Sequence, residues 1–125
     1  MWKRSVSWIV AGAASVVMPI ATPAAADTFS TVKEQAEFVR LVSDRDLTRF
    51  GIRLNVSPSG NIEGRAFGRK VTGAWQWQNG YFCRELYVGS DDLGGPNCQL
   101  VLTNGETVRF IADKGTGESA DLTLR

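Results

Sequence analysis

The sequence predicts a mainly β protein: an antiparallel meander of about seven short strands, closed as a small barrel or folded as a sandwich. One N-terminal helix precedes the strands and follows a signal peptide. Three observations carry this expectation. From about Thr48 onward, apolar residues alternate with polar ones, the period of a half-buried strand. Turn-forming segments recur at spacings of roughly 8–12 residues, with no helical stretch long enough to connect parallel strands. Two Asn-Gly pairs, Asn79-Gly80 and Asn104-Gly105, are the strongest short signal for two-residue hairpin turns.

In chain order, the first element is the leader. Met1-Trp2-Lys3-Arg4 is a basic start. Ser5 to Ile20 is almost free of charge, and Ala24-Ala25-Ala26 has the small-x-small form that signal peptidase accepts. The apolar core is about 15 residues, short of the roughly 20 needed to span a bilayer as a helix. The expected division is a signal peptide over 1–26 and a single domain over 27–125, with no membrane span in the mature form.

Residues Asp27 to Val42 read as a helix. Thr31-x-x-Glu34 has the form of a capping box, with Phe29 placed for a hydrophobic staple. Val32, Ala36, Val39 and Val42 recur near helical spacing. Ser43 to Asp46 ends the helix. The expected strands are then Ile52–Val56, Ile62–Phe67, Val71–Trp77, Tyr81–Val88, Cys98–Thr103, Val108–Ala112 and Ala120–Leu124. Ser57-Pro58-Ser59-Gly60 is a β-turn sequence. Gly60, Gly64 and Gly68, spaced four apart, suggest strands that curve or pack closely.

Charge and cysteines narrow the setting. The chain holds 14 basic residues, of which Lys3 and Arg4 belong to the leader, so twelve face 13 acidic ones in the domain. That balance lacks the basic footprint of a nucleic-acid binder. Both cysteines, Cys83 and Cys98, fall in the exported part, where an even count pairs as a disulfide. A bridge closing this loop contributes on the order of 3 kcal/mol. Two thiolates without any histidine make a poor metal set, so no metal and no cofactor are expected.

The Asn79-Gly80 turn fixes a register. Gln78 faces Tyr81, Trp77 faces Phe82, Gln76 faces Cys83 and Trp75 faces Arg84, and opposed residues share a face. One face therefore carries Val71, Trp75, Trp77, Phe82, Arg84, Leu86 and Val88, and it is the apolar one. Arg84 is its anomaly. Either Arg84 stacks on Trp75 as a cation–π pair at the core's edge, or Trp75, Trp77, Phe82 and Arg84 line a surface that binds a ligand with an acidic group. These four are the candidate binding residues.

Other motifs read as structure. Asp91-Asp92 in the Gly89–Pro96 loop lacks calcium-loop spacing, and Asp113-x-Gly115-x-Gly117-Glu118 is a turn. The chain has no histidine, which removes Ser-His-Asp, Cys-His and most zinc mechanisms. No carboxylate pair stands out, and no glycine motif lies between a strand and a helix as a phosphate loop requires. No catalytic residue is assigned.

Gly51-Ile-Arg-Leu54, Gly60-Asn-Ile-Glu-Gly64, Gly73-Ala-Trp-Gln-Trp77, Gly80-Tyr-Phe-Cys-Arg84, Asn97-Cys-Gln99 and Arg109-Phe110 with Asp113-Lys-Gly115 give the chain a further likeness. From Leu47 to Arg125 it resembles a set of short exported bacterial β-rich proteins of unknown function. Some carry the label dihydrodipicolinate reductase, which implies a two-domain dinucleotide-binding enzyme. This chain has neither the fingerprint nor the length for one.

The functional expectation is a small periplasmic or secreted binding or interaction module, with an inhibitor-like role as one form of it. Its partner is an unidentified protein or small molecule of the cell envelope. The alternatives are a carrier that holds a small amphiphile inside a barrel and, least favoured, an enzyme. A carrier requires an interior cavity of a few hundred Å³, whereas an inhibitor requires a protruding patch and none.

Overall fold

A computed structural model describes Gly12 and residues 28–125. The expected leader and the expected cut after Ala26 lie, Gly12 apart, outside the described residues. The chain forms β1 (Ser30–Thr31), α1 (Gln35–Val42), β2 (Asp46–Arg49), β3 (Ile52–Val56), β4 (Asn61–Ala66), β5 (Arg69–Gln78), β6 (Tyr81–Val88), β7 (Asp91–Asp92), β8 (Asn97–Thr103), β9 (Thr107–Ile111) and β10 (Ser119–Leu124).

Every pairing is antiparallel. Strands β2 to β6 follow as a meander, β8 to β10 continue it, β10 returns to β2, and β6 pairs with β8. The ring is thus a closed barrel of eight strands, not a sandwich. Closure removes the edges that an open sheet must protect. The expected count of about seven strands is low. Residues 46–49 look like the turn after a helix but pair with both β3 and β10. The two shortest strands, β1 and β7, lie outside the ring, on β8 and β6.

The start of the expected helix is corrected as well. Helix begins only at Gln35, behind an N-cap Glu34 with no side-chain cap bond. Ser30 and Thr31 pair instead with Thr103 and Leu102, and the Val32 amide donates to the Val101 carbonyl at 2.8 Å. Strand β6 begins at Tyr81 and pairs with β8 only up to Gln99. The rest of β8 would otherwise bury an unpaired edge, a cost larger than that of a lost cap.

Phe38 explains what α1 does. It is fully buried, and its ring sits 5.2 Å from Trp75, 5.3 Å from Trp77 and 5.0 Å from Phe82. With Val42 it fills the end of the barrel at which the β5–β6 hairpin turns. Trp75 donates its indole N–H to the Ser57 carbonyl at 2.8 Å, so the polar edge of this buried ring is satisfied.

The β5–β6 register is the one that the Asn-Gly turn predicts, with Trp75 opposite Arg84 and Trp77 opposite Phe82. Asn79 and Gly80 both adopt positive φ, as a type I′ turn demands. Asn104-Gly105 behaves differently. Thr103 pairs with Val108, which makes a four-residue loop rather than a two-residue turn. The Asn104 side chain accepts from the Glu106 and Thr107 amides and closes the loop locally. The longer loop sets fully buried Val108 in the core.

Cys83 and Cys98 are directly opposed on β6 and β8 and form the disulfide. The bridge sits on the outer face and ties the seam at which the barrel closes. Outside the wall of β9 and β10, Arg109 clamps Asp121 through two hydrogen bonds, of 2.8 and 2.9 Å. Those bonds hold the Asp121 carboxyl below its ordinary pKa. Among the described residues, no helix is long and apolar enough to cross a membrane.

Candidate functional site: the barrel lumen

With α1 at one end, the other end of the barrel stays open. It is bounded by the turns β2–β3, β4–β5 and β9–β10. Below this mouth lies a cavity of about 380 Å³. Its wall is apolar, with Leu47, Leu54, Ile62, Phe82, Phe110 and Leu122 among the lining residues. These are the inward positions of their strands, supplied by the period-two pattern. Arg49 and Glu118, both exposed, stand at the entrance.

Two polar side chains break the wall. Arg84 projects from β6 on the same face as Phe82 and Leu86. One nitrogen, Nη1, donates to the Gly94 carbonyl at 3.0 Å. Gly94 is itself fixed, its backbone N–H donating to Asp92 Oδ1 at 2.9 Å. A guanidinium carries five N–H donors, and no other hydrogen bond occupies Arg84 among the described residues. Burial pulls the Arg84 pKa below its ordinary value, and Asp92 partly offsets this. The group stays charged, because an arginine starts far above neutral pH.

Gln99 is the second. It faces Phe82 across β6–β8, is only 8% exposed, and lines the same cavity. Its amide makes no hydrogen bond to the described residues. Its amide atoms are not sealed from solvent, and their free surface faces the lumen. Arg84 and Gln99 together form a polar spot, with spare donors, inside an apolar tube.

Of the four candidate residues, the structure places Phe82 and Arg84 on the cavity wall. Trp75, 4% exposed, and half-buried Trp77 pack behind it against Phe38. The expected stacking of Arg84 on Trp75 is not found. Among the described residues the cation–π contacts are Arg109 over Phe29 and Lys114 over Tyr81. The Trp75 ring is held by Phe38 and Phe82 instead, and Arg84 swings to Gly94.

Sequence reasoning missed Gln99, although a signal was present. Cys83 lies on the outward face, so a bridge to Cys98 also turns Cys98 outward. Alternation then turns Gln99, Val101 and Thr103 inward, as observed. The apolar look of Leu100 and Leu102 suggests the opposite face. A second concavity, about 600 Å³, lies outside the wall over Gln76, Gln78, Glu85 and the disulfide. Trp75, Arg84 and Pro96 also line it, so Arg84 borders both hollows. Among the described residues no cluster of His, Cys, Asp and Glu could hold a metal ion.

Comparison with protein-family models, curated proteins and solved structures finds no match for this chain. The functional reading therefore rests on the residues of the lumen and its rim.

Proposed function

We propose that this chain is a small exported binding module whose barrel lumen takes a single-chain amphiphile with an acidic head group. The observation that carries the reading is a charged guanidinium with unused donors, beside an unpaired amide, in an otherwise apolar cavity. Closed barrels of eight strands are wide enough to hold one small ligand. A volume of about 380 Å³ falls in the lower part of the range of roughly 300–1,000 Å³ used by small-molecule sites. The tail packs on Leu47, Leu54 and Leu122, and the head group accepts from Arg84 and Gln99. Burying Arg84 is costly without an anion, so the bound anion recovers energy that the empty protein lacks.

An inhibitor-like module needs no interior space, so the lumen favours the carrier. Location in the periplasm or outside the cell fits the leader sequence and the disulfide, which persists in oxidising compartments.

Calorimetric titration with decanoate, decanol and decyltrimethylammonium tests the reading. Decanoate is expected to bind tightest and the cation weakest. Arg84→Met should weaken decanoate about tenfold or more, the worth of a charge-assisted hydrogen bond. It should leave decanol unchanged and folding stability within about 1 kcal/mol. Equal affinity for all three probes, or a variant that binds decanoate like the wild type, contradicts the proposal.

A further inference from the structure

We infer that the open end of the barrel docks onto a bilayer surface rich in anionic lipid. The inference stands on residues of the rim and goes beyond the lumen reading, since it holds whatever the lumen takes. Phe50 is 92% exposed and Phe67 69% exposed. They occupy neighbouring hairpin tips, Phe50-Gly51 between β2 and β3 and Phe67-Gly68 between β4 and β5. The tips are clasped, because the Phe67 amide donates to the Gly51 carbonyl at 2.7 Å.

Phe67 is held there at a conformational cost. Its φ is +50°, in the left-handed region. A two-residue turn with positive φ at both positions calls for Asn-Gly, as at Asn79-Gly80, and a bulky aromatic residue is unfavourable at the first position. A strained and solvent-exposed ring points to a role outside the fold.

The charge pattern names the partner. Arg53 is directly opposite Arg65, and Arg65 directly opposite Lys70. All three are exposed and point outward on the row nearest the aromatic tips. Like charges directly opposed across strands are destabilising. Asp46 reaches Arg53 at 2.9 Å, whereas Lys70 has no ion pair among the described residues. The next row along the barrel axis is Asp46, Asn55, Glu63 and Thr72. On these strands the cations lie toward the mouth and the carboxylates away from it, while Glu118 at the entrance and Asp91, paired with Arg69, add acidic groups at the same end. Aromatic side chains flanked by cations are what the interface of an anionic membrane binds. An acidic protein surface would use the cations but not two solvent-facing rings at the tips.

Co-sedimentation with phosphatidylglycerol vesicles, against phosphatidylcholine vesicles, tests this on the protein as the expressing cell processes it. Partition to the anionic vesicles should exceed partition to the neutral ones, and Lys70→Gln should lower it about fivefold. Phe67→Asn should lower it about tenfold, while its urea midpoint stays the same or rises because the turn is relieved. A merely structural Phe67 would show the reverse pattern. Equal partition to both vesicle types, or wild-type docking by Phe67→Asn, overturns the inference. So does retention on poly-glutamate beads without vesicle binding. The decanoate titration is a separate readout, so failure of docking and failure of the lumen reading are distinguishable.

Discussion

Arg84 illustrates how much a single position discloses. Its register opposite Trp75, its place on an apolar face and its mismatch with that face are all legible from the Asn79-Gly80 turn. Its partner is not, because that depends on Phe38 claiming the tryptophan ring and on a loop ten residues downstream of Arg84 folding back to offer the Gly94 carbonyl. Gly64 behaves similarly. Its spacing from Gly60 and Gly68 suggests close packing, and the structure supplies the reason. A Cβ at Gly64 would run into the Arg53 carbonyl and the Leu54 Cα of β3, both of them backbone atoms. Gly64→Ala is therefore expected to cost roughly 1–3 kcal/mol, read as a lower urea midpoint. An unchanged midpoint would mean that the strands separate freely at this point.

Elements are legible where periodicity and turn chemistry agree, and less so where tertiary pairing decides. All seven expected strands carry such a pattern, and each has a counterpart in the structure. Strands β1, β2 and β7 have two to four residues each, too few for alternation to register. Helix α1 owes its place to one buried ring more than to its caps. Phe38→Ala should cost about 3–5 kcal/mol, the range for truncating a buried aromatic. It should also open the closed end of the barrel, read as a red shift of tryptophan emission as Trp75 and Trp77 lose their cover. A loss below about 1 kcal/mol would show that the helix merely rests on the barrel.

At the scale of the whole molecule, an eight-strand ring is plugged at one end by aromatic rings and open at the other. It is tied at its β6–β8 seam by Cys83–Cys98. Replacing both cysteines with alanine should lower stability by about 3 kcal/mol and leave the barrel folded, because the ring closes through hydrogen bonds as well. Urea melts of the oxidised and cysteine-free proteins check this, and identical midpoints would contradict it. Ring closure was not legible in the sequence, since meander strands suit a sandwich equally well. It follows from β8 skipping β7 to reach β6 and from β10 reaching β2, a pairing between residues far apart in the chain.

The claim on which the functional account depends is that an acidic amphiphile enters the lumen and places its head at Arg84. Heteronuclear NMR of the isotope-labelled protein during a decanoate titration tests it most directly. The account expects saturable shifts at the Arg84 side-chain NH, the Gln99 amide and the methyls of Leu54, Ile62 and Leu122, with the outer residues Gln76 and Glu85 silent. Shifts confined to the outer groove or the rim, with Arg84 and the lumen methyls unmoved at saturation, would contradict it.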